Sequence, residues 1–230
     1  MTRLIKQVDT LINLDKLRYA PDFNYIESHY ASMEFPEIGG IDLFSIVPVP
    51  TKNSSQETIS ELRYLSNITK NLSQSQKELA YKIDDNAGFM IEDFIKENNI
   101  KFPYKFFTSV FYTCLISIVD HLKFYYNRPR PFQLALYSNL EINRIVTKSH
   151  KTPAYPSGHT MYAALMAEII IDKYPEHKKA VSQLVDLCGK ARELQGVHYP
   201  SDNTAAKKII QTIYPELKKY YIGVGINYEL

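Results

Sequence analysis

The chain has 230 residues, with 27 Lys and Arg against 25 Asp and Glu, a formal net charge of +2. That length fits one domain, which can bury a core without disulfide or metal support. So small a charge excludes nucleic acid or an anionic membrane as the main partner and leaves any strongly basic chemistry to a local pocket.

Residues 1–50 are aromatic and irregular, with Gly39-Gly40 and prolines at 36, 48 and 50. They read as an N-terminal arm laid over a core formed by 51–230, and as a candidate subunit contact, so a homodimer is among the expected partners. Apolar residues then recur at three- and four-residue intervals over 51–65 and 73–98, the period of amphipathic helices, with a break expected at Asn86-Ala87-Gly88. Residues 105–126 are apolar nearly all round and predict a central helix. Helices are expected over 160–174 and 181–197, and a last long one over 204–214, stopping before Pro215. No strand alternation stands out. The expected fold class is therefore all-α, one single-domain helical bundle over 1–230.

Cys114 and Cys188 lie in apolar segments and read as buried free thiols, and no Cys/His cluster has metal-ligand spacing, so no metal is expected. Residues 106–119 are uncharged for 14 positions, too few to span a bilayer, so no stable membrane insertion is expected. The first residues carry no secretory apolar run. The expectation is a soluble protein without a visible signal peptide, either intracellular or exported with its signal removed.

Three local patterns carry the chemistry. In the first, Lys123 precedes Arg130-Pro131, within a run where prolines at 129 and 131 end the helix near Asn127. Lys123 then lies in a last helical turn, and Arg130 in a stiff loop able to fold back beside it, a fork and a point charge for one phosphate. Arg128 also precedes a proline and reads as a decoy. In the second, Tyr155-Pro156-Ser157-Gly158-His159-Thr160 opens an apolar helix. Ser157 is a natural N-cap, the following N–H groups face outward at the positive end of the helix dipole, and Gly158 lets an anion approach the backbone. The helix end should lower the pKa of His159, and a bound dianion should raise it again, which suits a general acid. In the third, Arg192 precedes His198 by six residues and His198 precedes Asp202 by four. One turn opened by Pro200 brings Asp202 onto one ring nitrogen and leaves the other nucleophilic. Each pattern alone is compatible with ordinary capping or a surface ion pair. Together they supply positive charge for three equatorial oxygens, an in-line nucleophile in His198 and an acid in His159, the needs of phosphoryl transfer without a metal.

These residues resemble the type-2 phosphatidic acid phosphatase superfamily, whose pattern is Lys-x6-Arg-Pro, Pro-Ser-Gly-His and Ser-Arg-x5-His-x3-Asp. The chain is most similar to its soluble bacterial class A non-specific acid phosphatases, through Tyr125 to Phe132, Tyr155 to Thr160 and the Pro-rich lead-in at 46–50. The resemblance implies a bundle of the acid phosphatase/vanadium haloperoxidase type. It also implies a small-molecule phosphate ester as substrate, a phosphohistidine on His198, and phosphate held by Lys123, Arg130, Ser157, Gly158, His159 and Arg192, with no cofactor. Vanadate would inhibit. The alternatives are a vanadium-dependent haloperoxidase with vanadate as cofactor in the same pocket, a surface-acting lipid phosphatase, and a non-catalytic phosphate-binding interaction module. One position departs from the pattern: Ala191 stands where the family has Ser, which implies reduced phosphate affinity with the chemistry retained.

Overall fold

The computed structural model describes residues 14–20 and 42–228, and these hold helices and no strand. The all-α expectation is borne out. Of the 1–50 arm, all but 14–20 and 42–50 lies outside the described residues. Within the described part, α1 (Leu43–Ile46) starts at Asp42, whose carboxylate accepts from the Phe44 N–H.

Two amphipathic helices follow, α2 (Gln56–Ile68) and α3 (Gln74–Asp85), each begun by a serine, Ser55 or Ser73, whose hydroxyl accepts a backbone N–H of the first turn. The break expected at 86–88 is present and leads into α4 (Phe89–Glu97). There the Asn86 side chain accepts the Gly88 N–H at 2.9 Å. A Cβ on Gly88 would lie 2.7 Å from the Tyr162 ring, so only glycine lets this turn press so closely on its neighbour.

Residues 104–126 form one rod in three parts: α5 (Tyr104–Val110), a π-helical turn (Phe111–Leu115) and α6 (Ile116–Tyr126). The rod is not the centre that its composition predicted. Tyr112, Ile116 and Tyr125 lie exposed along it. Tyrosine can keep its hydroxyl in water while its ring packs, so an aromatic-rich helix need not be covered on every side. The central place belongs to α8 (Gly158–Lys173), which packs against both α9 (Lys178–Leu194) and α10 (Pro200–Gly223). Met161, Ala163, Ala164, Leu165, Met166, Ala167, Ile169 and Ile170 of α8 are buried, and the small alanines admit close neighbours. A short α7 (Pro131–Ala135) lies between α6 and the irregular stretch before α8.

The last helix corrects a second expectation. It runs through Pro215 to Gly223 rather than stopping before the proline. An interior proline costs a helix about 3 kcal/mol, but Ile213, Tyr214, Leu217 and Tyr221 are all buried around it. The hydroxyls of Tyr214 and Tyr228 meet at 2.7 Å, and Asp172 accepts from both Tyr228 and Lys218. Continued burial outweighs the lost hydrogen bond.

Between α9 and α10 the chain reverses at Gly196, which has φ +71°. The Gly196 N–H donates to the Glu193 carbonyl at 2.8 Å, and the Val197 N–H donates to that of Arg192 at 3.3 Å. These are the paired bonds of a Schellman ending. This turn aims Arg192 and His198 at one point. A Cβ at Gly196 would meet the Ile142 side chain at 2.6 Å, besides straining the backbone. Gly196→Ala is therefore expected to lower stability by about 1–3 kcal/mol, read as a shift in the denaturant midpoint.

Candidate active site

The three patterns converge. Lys123 sits in the last turn of α6, which ends at Asn127 in the left-handed conformation (φ 43°), as the two prolines require. Its ammonium donates to the Pro153 carbonyl at 2.6 Å. Arg130 folds back beside it, donating from Nε to the Thr152 carbonyl (2.9 Å) and from Nη1 to the Val197 carbonyl (2.8 Å). Neither cation has a direct carboxylate partner among the described residues. Both are buried, Lys123 at 5% and Arg130 at 1% exposure. Burial and the neighbouring Arg130 push the Lys123 pKa well below its ordinary value. An anion bound between them would reverse that.

His198 is 2% exposed. Its Nδ1 lies 3.1 Å from Asp202 Oδ2, and its Nε2 lies 2.8 Å from Arg130 Nη1. A guanidinium can only donate, so Nε2 must be the bare nitrogen, and the ring proton sits on Nδ1, donated to Asp202. Burial, then Arg130, Lys123 and Arg192, hold the His198 pKa well below its ordinary value. The ring is thus neutral, in the tautomer that turns a lone pair toward the cations. Asp202 reaches it as the spacing requires, because α10 opens at Pro200 and the same Oδ2 accepts the Tyr199 N–H at 3.0 Å.

The start of α8 closes the other side. Ser157 occupies the N-cap position but does not cap with its side chain. Thr160 donates to Asn203 Oδ1 at 2.9 Å, so the 2.9 Å contact between the two hydroxyls is a donation from Ser157 to Thr160. The Ser157 N–H donates to the Asp202 carbonyl at 3.3 Å. Ser157 thereby ties the start of α8 to α10, and the first N–H groups of α8 are left without the hydroxyl acceptor that capping would give them. Gly158 follows, its Cα side facing Val119 and the Lys123 stem. His159 has its pKa lowered to about 3 by burial first and Arg192 second. The lowering expected from the helix end therefore has a different main cause. Its Nε2 donates to the Asp84 carbonyl at 3.4 Å.

Arg192, in α9, is fully buried. Its Nη1 bonds Asp84 Oδ1 and its Nη2 bonds Ser149 Oγ, each at 2.7 Å, while its Nε–H has no partner. Asp84 was not singled out in the sequence. It also accepts from the Lys148 N–H and from Ser149 Oγ; burial pushes its pKa up, but the bonds from Ser149 and Arg192 outweigh that and lower it to about 2. Ala191, the departure from the family pattern, is fully buried in the core.

Arg128 is no bystander. It is 3% exposed, donates to Asp202 Oδ1 at 2.6 Å and to Ser201 Oγ at 2.9 Å, lies 3.4 Å from Glu61 Oε2, and stacks 3.9 Å from the Tyr199 ring centroid. Glu61 of α2 accepts both the N–H and the hydroxyl of Ser201. Asp202 is thus gripped from behind while it holds His198. Glu61 sits over 130 residues away in sequence, with no local signal to mark it. Among the described residues no group of three or more His, Cys, Asp or Glu side chains is placed to hold a metal ion, and no helix is long and apolar enough to cross a membrane. Cys114 and Cys188 are buried free thiols, as read. Arg128→Met should lower stability by about 3 kcal/mol, because it leaves Asp202 and Glu61 buried without their counter-ion. Arg128→Lys, which keeps the charge but not the fork, should recover part of that loss in the same thermal melts.

Residues 105–209 match the family described as the PAP2 superfamily. The non-specific acid phosphatase of Salmonella typhimurium is 33% identical over 87 residues, which is 38% of this chain and 34% of that protein. The protein of the same description from Salmonella typhi matches to the same extent. The aligned stretch thus covers about a third of the length of these curated relatives. Among solved structures, the first transmembrane PAP2-type phosphatidylglycerolphosphate phosphatase from Bacillus subtilis covers 88% of this chain and 94% of its own, at 18% identity and a TM-score of 0.38. The resemblance read from the three motifs is borne out as a match to the PAP2 superfamily over residues 105–209.

Proposed function

We propose that the chain is a phosphatase that cleaves a small phosphate monoester through a phosphohistidine on His198, without a metal. One observation carries this reading: the bare Nε2 of a neutral, Asp202-held imidazole faces a buried nest of Lys123, Arg130 and Arg192. Three such cations with few direct carboxylate partners match a tetrahedral dianion in charge and shape.

Arg130, Arg192, Lys123 and the first N–H groups of α8 take the non-bridging oxygens, with Ser157 and Gly158 at the mouth of that helix. His198 Nε2 attacks phosphorus in line, and the bond from phosphorus to the leaving oxygen breaks. Asp202 keeps the Nδ1 proton in place and stabilises the positive charge growing on the ring. His159 gives the departing oxygen its proton. In the empty site its pKa, about 3, keeps it neutral, and the incoming dianion raises it, so the imidazolium forms with substrate present. A water then gives a proton back to His159 and attacks phosphorus. The P–N bond breaks, freeing phosphate and restoring neutral His198. Lys and Arg supply the charge that a divalent cation supplies elsewhere, so chelators should leave the rate unchanged.

Hydrolysis of p-nitrophenyl phosphate, with trapping of an acid-labile phosphoenzyme from labelled substrate, tests the reading. His198→Ala should lose both signals; appreciable residual turnover would refute the nucleophile. His159→Ala should slow alkyl phosphates by about 100-fold or more and p-nitrophenyl phosphate much less, because its leaving group needs little protonation. Equal losses on the two substrates would count against the acid role.

A further inference from the structure

A cleft of about 350 Å³ opens beside Gly158 and His159. One wall is apolar: Phe111, Leu115, Ile116 and Val119 from the 104–126 rod, and Tyr162 from α8. The π-helical turn builds this wall. Its wider winding, over four residues per turn, brings both Leu115 and Ile116 onto the face that carries Phe111. The Phe111 and Tyr162 rings meet edge to face, 4.8 Å between centroids. The lining also includes the acidic residues Asp84, Asp85 and Asp120, and among the described residues no Lys or Arg lines the cleft.

Resting on the phosphatase reading, we propose that this cleft is the leaving-group subsite, and that it selects monoesters of a compact aromatic alcohol bearing no second negative charge. In-line displacement puts the leaving oxygen opposite His198, on the side where His159 can protonate it. His159 lines the cleft, so the body of the alcohol must extend into it. A ring there gains an apolar wall with two aromatic edges. The acidic side accepts a hydroxyl or ammonium substituent and repels a carboxylate or a second phosphate. Substrates such as nucleoside diphosphates and sugar bisphosphates would place that extra charge beside Asp85, where no Lys or Arg among the described residues lines the cleft.

Two matched pairs of esters test this on the whole chain. Benzyl and ethyl phosphate leave as alkyl alcohols of similar acidity. Benzyl phosphate should show the higher kcat/KM, by about tenfold or more. Ile116 lies at the rim, 37% exposed, so Ile116→Ala should fold, and it should shrink the benzyl-to-ethyl ratio at least about threefold. Phenyl and 4-carboxyphenyl phosphate form the second pair. The carboxylate does not worsen the leaving group, yet it should lower kcat/KM roughly fivefold at low salt, with the gap narrowing as salt rises. Asp85→Asn should narrow it too. Equal kcat/KM within both pairs, with clear turnover of all four esters, overturns the subsite and leaves the phosphatase reading standing. Absence of turnover on every ester overturns both.

Discussion

Lys123, Arg130 and Arg192 repel one another in a buried place, and that repulsion organises the rest of the molecule. Each guanidinium or ammonium is held in position by carbonyl oxygens or by one carboxylate, from Thr152, Pro153, Val197 and Asp84. Such contacts fix the groups without cancelling their field. Burial first, and this field second, hold the pKa of both histidines below the ordinary imidazole value. Burial, charge and proton position are therefore one problem here, and a tetrahedral dianion, as proposed, would relieve all of it at once.

Behind this layer stands a second, of opposite balance. Arg128 and the Glu61–Ser201 pair lock the back of Asp202, and the Ser157–Thr160–Asn203 chain fastens the start of α8 to α9 and α10. Positions that touch no ligand thus decide how accurately the ring of His198 is aimed. In such a site, small displacements of a supporting residue cost more than the energy of its own contacts suggests.

Much of this was legible because the informative residues are near one another in sequence. Proline placement gave the end of α6, the four-residue step gave the His198–Asp202 contact, and the spacing of three short patterns gave the family resemblance. Distant partners were not legible. Asp84 and Glu61 belong to ordinary-looking amphipathic helices, and Arg128 reads as a loop residue until Asp202 is beside it. Helix continuation through Pro215 was hidden for a related reason: local propensity argued for a stop, while burial of Leu217 and Tyr221, which depends on the whole fold, decided otherwise. The π turn left no trace in periodicity because a one-residue slip in an apolar run does not change its composition.

Asp84 has a further consequence. Its carboxylate rests on the guanidinium of Arg192, beside the unpartnered Nε–H. Its charge of −1 offsets part of the repulsion between that guanidinium and the neighbouring Lys123 and Arg130. Weak monoanions from the surrounding solution meet a rival already seated, whereas a species of charge −2 interacts more strongly with the same cations. Any anion bound there would thus meet a threshold set by a side chain outside the proposed bond making.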